Sequence, residues 1–192
     1  MGKDRVAAFS DGVIAILITI MVLELKIPQK TDLESLLAQW PVFLGYVLSF
    51  VYVGIYWNNH HHTMQAAESV NGAILWANLD LLFWLSLIPV ATAWMGQNLG
   101  QPLPTALYGV SLLLPAIAYY LLVLAIIRRH GAESILAKAI GSDIKGKISP
   151  VLYIAGIALA FVTPWVSIAL YVVVAVLWLV PDRRIENLIA RE

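Results

Sequence analysis

Apolar residues along this chain come in runs of membrane length, separated by short polar stretches. A helix that crosses a bilayer needs roughly 20 mostly apolar residues. Runs over 6–25, 42–60, 72–95, 105–127, 148–163 and 165–181 meet or approach that length. They predict an all-α integral membrane protein, with residues 1–192 forming one six-helix domain. The last two runs are short and are divided only by Pro164, where "TPW" reads as a tight turn with a helix-starting proline. Pro89 and Pro115 fall inside the third and fourth runs and predict kinks. In "TDLESLLAQW", Thr31 and Glu34 have capping-box spacing, which predicts a short helix before the second span.

Charge separates six spans from five. With six and the N-terminus inside, one face holds residues 1–5, 61–71, 128–147 and 182–192. Those pieces carry Lys3, Arg5, Arg128, Arg129, Lys138, Lys145, Lys147, Arg183, Arg184 and Arg191; the other face carries Lys26 and Lys30. This asymmetry predicts both termini in the cytoplasm. Five spans would carry three of the arginines outside and weaken it. Trp40, Trp57, Trp94, Trp165 and Trp178 lie near span ends, where an aromatic belt belongs. The link 128–147 is too short for a core of its own.

Composition agrees. The chain is 60% hydrophobic and 12% charged, against roughly 45–50% and about 25% for soluble domains. Formal net charge is zero, which argues against a nucleic-acid partner. No cysteine is present, so thiol chemistry is excluded. The first run, preceded by Lys3 and Arg5, has some features of a signal peptide. "LELKIPQK" offers no small-x-small cleavage site, however, and Asp11 stands at the mouth of the apolar segment. The first helix is expected to remain.

Polar residues inside apolar spans are costly and are functional candidates by default. Ser10 and Asp11 have a plain reading as helix-start caps, with Arg5 an interface anchor. Depth suggests a sharper one. The first span begins on the side where the second ends, so Arg5, Ser10, Asp11, Asn59, His60 and His61 can share a level and form one buried polar cluster. Its histidines would make it pH-sensitive. "HHH" at 60–62 is a poor metal site, because consecutive helical residues point about 100° apart. Asp80, near Asn78 in the third span, is either a proton or cation relay or a structural bond to a neighbouring helix. On a helical wheel Ile16 and Leu23 nearly coincide. Thr19 lies to one side of them, Ile20 to the other, and Asp11 on the opposite face. Such an apolar stripe ordinarily packs against lipid or helices.

Arg5-x-x-x-Phe9-Ser10-Asp11 at the first helix resembles the signature of the transmembrane protein 175 potassium channels, specifically their prokaryotic members. "YWNNHHHTM" (56–64) is similar to the family's W-x-x-H-H segment. "LWANLDLLFWLSLIPVATAW" (75–94) resembles its third helix, and "LVPD" (179–182) the end of its sixth. The resemblance covers nearly the whole chain. It implies a homotetramer in the prokaryotic plasma membrane, with the first helix of each subunit lining a central pore. No TVGYG filter is expected, and none occurs in the sequence. The expected constriction is a ring of Ile16, followed by Thr19 or Ile20 and then Leu23, which is the stripe on the wheel. Glu24 is a candidate at the outer mouth. Arg5, Phe9, Ser10 and Asp11 are carried over as structural, with His60, His61, Asn78 and Asp80 as polar-network candidates. The implied function is a weakly selective, potassium-permeable cation channel that needs no cofactor or metal. Its partners are copies of itself, lipids and permeant ions. The alternative is a proton-coupled cation transporter using Asp80 and His60–His62. An enzyme is disfavoured, because no nucleophile–base pair or convergent ligand set is visible.

Overall fold

The computed structural model of the chain describes residues 2–140 and 144–179, apart from the side chains of Ile135, Ala139 and Ile140. Arg183, Arg184, Arg191 and most of "LVPD" therefore lie outside the described residues. Within them the structure is helical: α1 (Lys3–Leu23), α2 (Leu33–Leu37), α3 (Trp40–Gln65), α4 (Gly72–Ser86), α5 (Ile88–Gln97), α6 (Pro102–His130), α7 (Ile135–Ile140), α8 (Ile144–Leu159) and α9 (Pro164–Leu179).

Among the described residues, four segments are long and apolar enough to cross a membrane: Lys3–Leu23, Leu33–Gln65, Gly72–Gln97 and Pro102–His130. They contain the second, third and fourth expected runs, and the first except for residues 24 and 25, since α1 ends at Leu23. The helix of the second run continues past residue 60, so "NNHHH" belongs to α3. The third run is interrupted at Leu87, just before Pro89: α4 stops at Ser86 and α5 restarts at Ile88, while Leu87 itself keeps right-handed helical dihedrals. Pro89 has no N–H, which is harmless in the first turn of the new helix. Pro115, by contrast, sits within an uninterrupted α6. The fifth and sixth runs appear as α8 and α9, each of 16 residues, with Pro164 opening α9 as its proline chemistry requires.

The cap before the second span falls one residue later than its sequence spacing suggests. Asp32, not Thr31, is the N-cap of α2, and its carboxylate accepts from the Ser35 amide at 2.7 Å. A carboxylate at the N-cap takes an orphan amide and also complements the helix dipole, which a threonine hydroxyl does not. Bonds from the Ser35 side chain and amide hold the Asp32 carboxyl below its ordinary range.

Two cores organise the bundle. The first joins α1, α3, α4 and α6 through Ile14, Leu17, Met21, Val53, Leu81 and Leu122. The second joins α3, α5, α6, α8 and α9 around Tyr52, Tyr108, Tyr153 and Tyr171. The Tyr171 ring occupies space that only glycine leaves open. A Cβ on Gly156 would lie 2.5 Å from its Cε1, and one on Gly109 would collide with its ring and hydroxyl. The ring hydroxyls here are not orphaned: Tyr52 donates to the Tyr171 carbonyl, and Tyr171 to the Thr105 carbonyl at 3.4 Å. Ser49 joins Thr92 at 2.6 Å and Tyr108 at 2.9 Å, tying α3, α5 and α6 together.

α5 approaches α3 closely at Gly96, where an added Cβ would stand 2.9 Å from the Val42 Cα. The obstacle is backbone, so no rotamer change relieves it. Gly96→Ala is expected to cost about 1–3 kcal/mol through overpacking. Thermal unfolding of the detergent-solubilised protein reads this loss. Gly72→Ala, where a Cβ meets open space, should leave the midpoint unchanged or slightly raised.

Candidate functional site

α1 is packed along one face only. Val6, Ser10, Ile14, Leu17 and Met21 are buried, and their spacing of three and four residues keeps them on one side of the helix. The other side stays open in the single subunit. Ile16 is 57% exposed and Leu23 79%, with Phe9, Gly12, Thr19 and Ile20 also exposed. The stripe found on the wheel is thus the unpacked face of α1. Thr19 lies nearest its middle, while Ile20 lies toward the packed side.

Ser10 and Asp11 are not caps. The helix begins at Lys3 with Gly2 as N-cap, so both residues lie two turns inside it. Ser10 is fully buried and donates its hydroxyl hydrogen to the Val6 carbonyl at 2.9 Å. Its oxygen accepts from Asn78 Nδ2 on α4, also at 2.9 Å. The Asn78 Oδ1 lies 2.7 Å from His60 Nε2 on α3. A carbonyl oxygen only accepts, so Nε2 carries the hydrogen. His60 is fully buried, and its Nδ1 makes no bond among the described residues. One amide therefore joins α1, α3 and α4, using its donor for one neighbour and its acceptor for the other.

Asp11 makes a separate tie. Trp57 Nε1 on α3 donates to its Oδ1 at 3.0 Å, and the Trp57 ring lies 6.2 Å from the His61 ring. Trp57 is therefore more than part of an interfacial belt. At the start of α1, the Lys3 ammonium reaches the Ala67 carbonyl at 3.1 Å and the Gln65 carbonyl at 3.5 Å. These are acceptors at the C-terminal end of α3, where a cation is favoured.

Several expected members of the cluster are elsewhere. Arg5 is exposed, and its side chain has no bond among the described residues. His61 is exposed beside Trp57, while His60 points into the core. His60 is thereby separated from the other two, whose rings meet edge-on with centroids 5.5 Å apart, so the three histidines do not converge on one point. Asp80 lies two residues from Asn78 and hence on another face of α4. Its carboxylate accepts from Trp84 Nε1 one turn on, at 3.1 Å, within its own helix. Among the described residues it bonds neither the histidines nor a neighbouring helix. Glu24 is the exposed C-cap of α1. Sequence reasoning missed Trp57 as the partner of Asp11, and the signal for it was its position one turn before His61.

The arrangement around Ser10 and Asp11 can be set beside known proteins. The family model for the endosomal/lysosomal potassium channel TMEM175 matches residues 5–89, the segment that holds Ser10, Asp11, Trp57, His60 and Asn78. A potassium channel of Chryseobacterium sp. (strain P1-3) is 54% identical over 187 residues, covering 97% of each chain. The chain belongs to the TMEM175 family. A potassium channel of Chamaesiphon minutus is 32% identical, over 90% of this chain and 91% of that one. The crystal structure of a lysosomal potassium-selective channel TMEM175 homolog from the same organism superposes with a TM-score of 0.81. The two are 30% identical, and the match covers 94% of this chain and 97% of that one. The TMEM175 family is one of channels, so the chain is not an enzyme. It is a multi-pass protein of the prokaryotic cell membrane.

In this TMEM175 chain the Asn78 bridge has a measurable consequence. Asn78→Leu leaves the His60 Nε2–H buried without an acceptor, which costs about 1–3 kcal/mol. The unfolding midpoint of the solubilised protein should fall accordingly. His60→Leu in the same chain removes the stranded donor and should restore part of the loss. Equal midpoints for wild type and Asn78→Leu would show that the bridge does not hold α1.

Proposed function

We propose that the chain is one subunit of a homotetrameric, potassium-permeable and weakly selective cation channel. Each subunit contributes six spanning helices, both termini are cytoplasmic, and α1 lines the pore. The observation that carries this reading is the asymmetry of α1. One face is anchored by buried apolar contacts and by Ser10, while the opposite face exposes Ile16, Thr19 and Leu23. A helix held from one side is suited to present the other to a central axis. The names of the Chryseobacterium and Chamaesiphon relatives support potassium as the permeant ion. α8 and α9 supply the last two spans. At 1.5 Å per residue, their 16 described residues each reach about 24 Å, somewhat short of the roughly 30 Å hydrocarbon core. A turn over 160–163 and mutual packing support the pairing, as does the positive charge on the inner side.

The mechanism follows from side-chain chemistry. A ring of four Ile16 side chains blocks hydrated ions by bulk and dewetting. No TVGYG segment supplies carbonyls, so preference rests on dehydration, which potassium undergoes more easily than sodium. Larger alkali cations should also pass. Thr19 adds one polar layer. Its hydroxyl donates to the Ile16 carbonyl at 2.8 Å, which leaves oxygen lone pairs facing outward. A cation requires acceptors of this kind. Glu24 at the end of α1 would raise cation concentration at the outer mouth. The proton-coupled transporter draws no support from the geometry, because Asp80 is engaged by Trp84 and stands apart from His60.

Planar bilayers with potassium on one side and sodium on the other test the proposal. Discrete currents that reverse toward the potassium potential are expected. Absence of conductance, with saturable pH-driven cation uptake into vesicles, would refute it. Ile16→Asn should hydrate the constriction, raise the current several-fold and reduce the preference for potassium. Unchanged current and selectivity would remove Ile16 from the constriction.

A further inference from the structure

The loop between α3 and α4, residues 66–71, is tied to two other helices. Lys3 on α1 reaches its Ala67 carbonyl. His130, the last residue of α6, accepts from its Ser69 amide: the nitrogen lies 3.1 Å from His130 Nε2. Ala67 itself is fully buried, and Asn71 caps α4 by accepting from the Ile74 amide at 3.0 Å. The loop is therefore positioned by α1, α4 and α6 together.

The protonation pattern of His130 follows from its two bonds. Its Nδ1 lies 2.9 Å from the Ile126 carbonyl, an acceptor, so Nδ1 carries the hydrogen. Nε2 is then the bare nitrogen, and it takes the hydrogen of the Ser69 amide. The Ser69 hydroxyl lies 3.5 Å from the same nitrogen. An added proton has only Nε2 to bind. Once protonated, Nε2 is a donor facing an N–H donor, so the bond to the Ser69 amide is lost, and only the longer contact to the Ser69 hydroxyl can still accept from it. Histidine is the side chain that ordinarily changes charge between about pH 5 and 8.

We propose that His130 is a proton-operated latch on the α3–α4 loop and, through Lys3, on the cytoplasmic end of α1. Protonation breaks the bond to the Ser69 amide, loosens the loop backbone, and weakens the hold of the Ala67 carbonyl on Lys3. The cytoplasmic placement, and any effect on ion flow, rest on the channel reading above; the latch itself does not. The other charged or imidazole side chains on the helices that meet here include Lys3, Asp4, Arg5 and Asp11 on α1, His60, His61 and His62 on α3, and Asp80 on α4. Glu68 lies on the loop, Arg128 and Arg129 on α6, and Glu133 just beyond it.

Hydrogen exchange on the full-length protein in detergent micelles tests this at about pH 5 and about pH 8, with rates corrected for the intrinsic effect of pH. In the wild type, peptides covering 66–71 and the start of α1 should lose roughly three- to tenfold protection at the acid pH, the loss expected for one ordinary hydrogen bond. His130→Gln keeps an acceptor for Ser69 but cannot titrate, so it should hold protection at both pH values. Lys3→Met should lower protection at the start of α1 at both pH values, with the loop still responding to acid. A wild type without the acid-dependent loss would overturn the latch, and this needs no variant to fold. Equal loss in His130→Gln would overturn it as well. Potassium flux in proteoliposomes, with acid on the side bearing His130, separates the two proposals. No flux at any pH counts against the channel reading, while the exchange data still decide the latch.

Discussion

Holding α1 from one side is the constraint on which this subunit depends. A helix packed all round is buried, and one packed nowhere is adrift in lipid. Apolar contact alone is a weak fastening inside a membrane, since lipid tails are as apolar as leucine. The chain answers with directional bonds at the N-terminal half of α1. Ser10 is bound through Asn78 to His60, Asp11 receives the Trp57 indole hydrogen, and Lys3 reaches the end of α3. These bonds fix rotation as well as depth. Without them, sliding and rotating α1 would exchange one apolar surface for another at little cost. With them, turning Ile16 inward would strand buried polar groups.

The second core gives these bonds something rigid to pull against. Tyr171 is packed onto Gly109 and Gly156, and it bonds the Thr105 carbonyl. Ser49, Thr92 and Tyr108 close a hydroxyl cluster among α3, α5 and α6. α3 takes part in both cores, with Tyr52 in the second and Val53 and Tyr56 in the first. It also carries Trp57 and His60. A shift of the outer helices would therefore reach α1 mainly through α3, and the break at Leu87 lets α5 pack on α3 separately from α4.

Much of the architecture was legible because membrane spans announce themselves by length and composition, and because Pro164 can start a helix but not continue one. The stripe on α1 was legible for a similar reason: a 100° step decides which residues share a face. The polar contacts were less so. Ser10 and Asp11 resemble caps in one dimension, yet the helix had already begun at Lys3, since no local breaker stands between them. His60 and His61 are adjacent in sequence and opposite in environment. Asp80 has its partner four residues along its own helix, a choice that competes with every inter-helix bond it was expected to make. The Ser69–His130 bond joins positions 61 residues apart with no periodic pattern to reveal it.

Two hydroxyls on α1 show how one piece of chemistry serves opposite ends. Ser10 donates to the Val6 carbonyl and Thr19 to the Ile16 carbonyl, so each returns its hydrogen to its own helix. What remains in both cases is an oxygen with free lone pairs. At Ser10 those lone pairs face the interior and accept the Asn78 amide, which makes the residue an anchor. At Thr19 they lie on the open side of the helix, which is exposed among the described residues. A donor at that position would repel a dehydrating cation. An oxygen whose hydrogen is already committed offers it a ligand instead. In the proposed tetramer, four such oxygens would sit between the Ile16 and Leu23 layers. The polar layer is then narrow by construction: one hydroxyl per subunit, oriented by the helix backbone itself. Weak selectivity is the outcome that this sparse chemistry supports, because four oxygens without a carbonyl cage replace only part of a hydration shell.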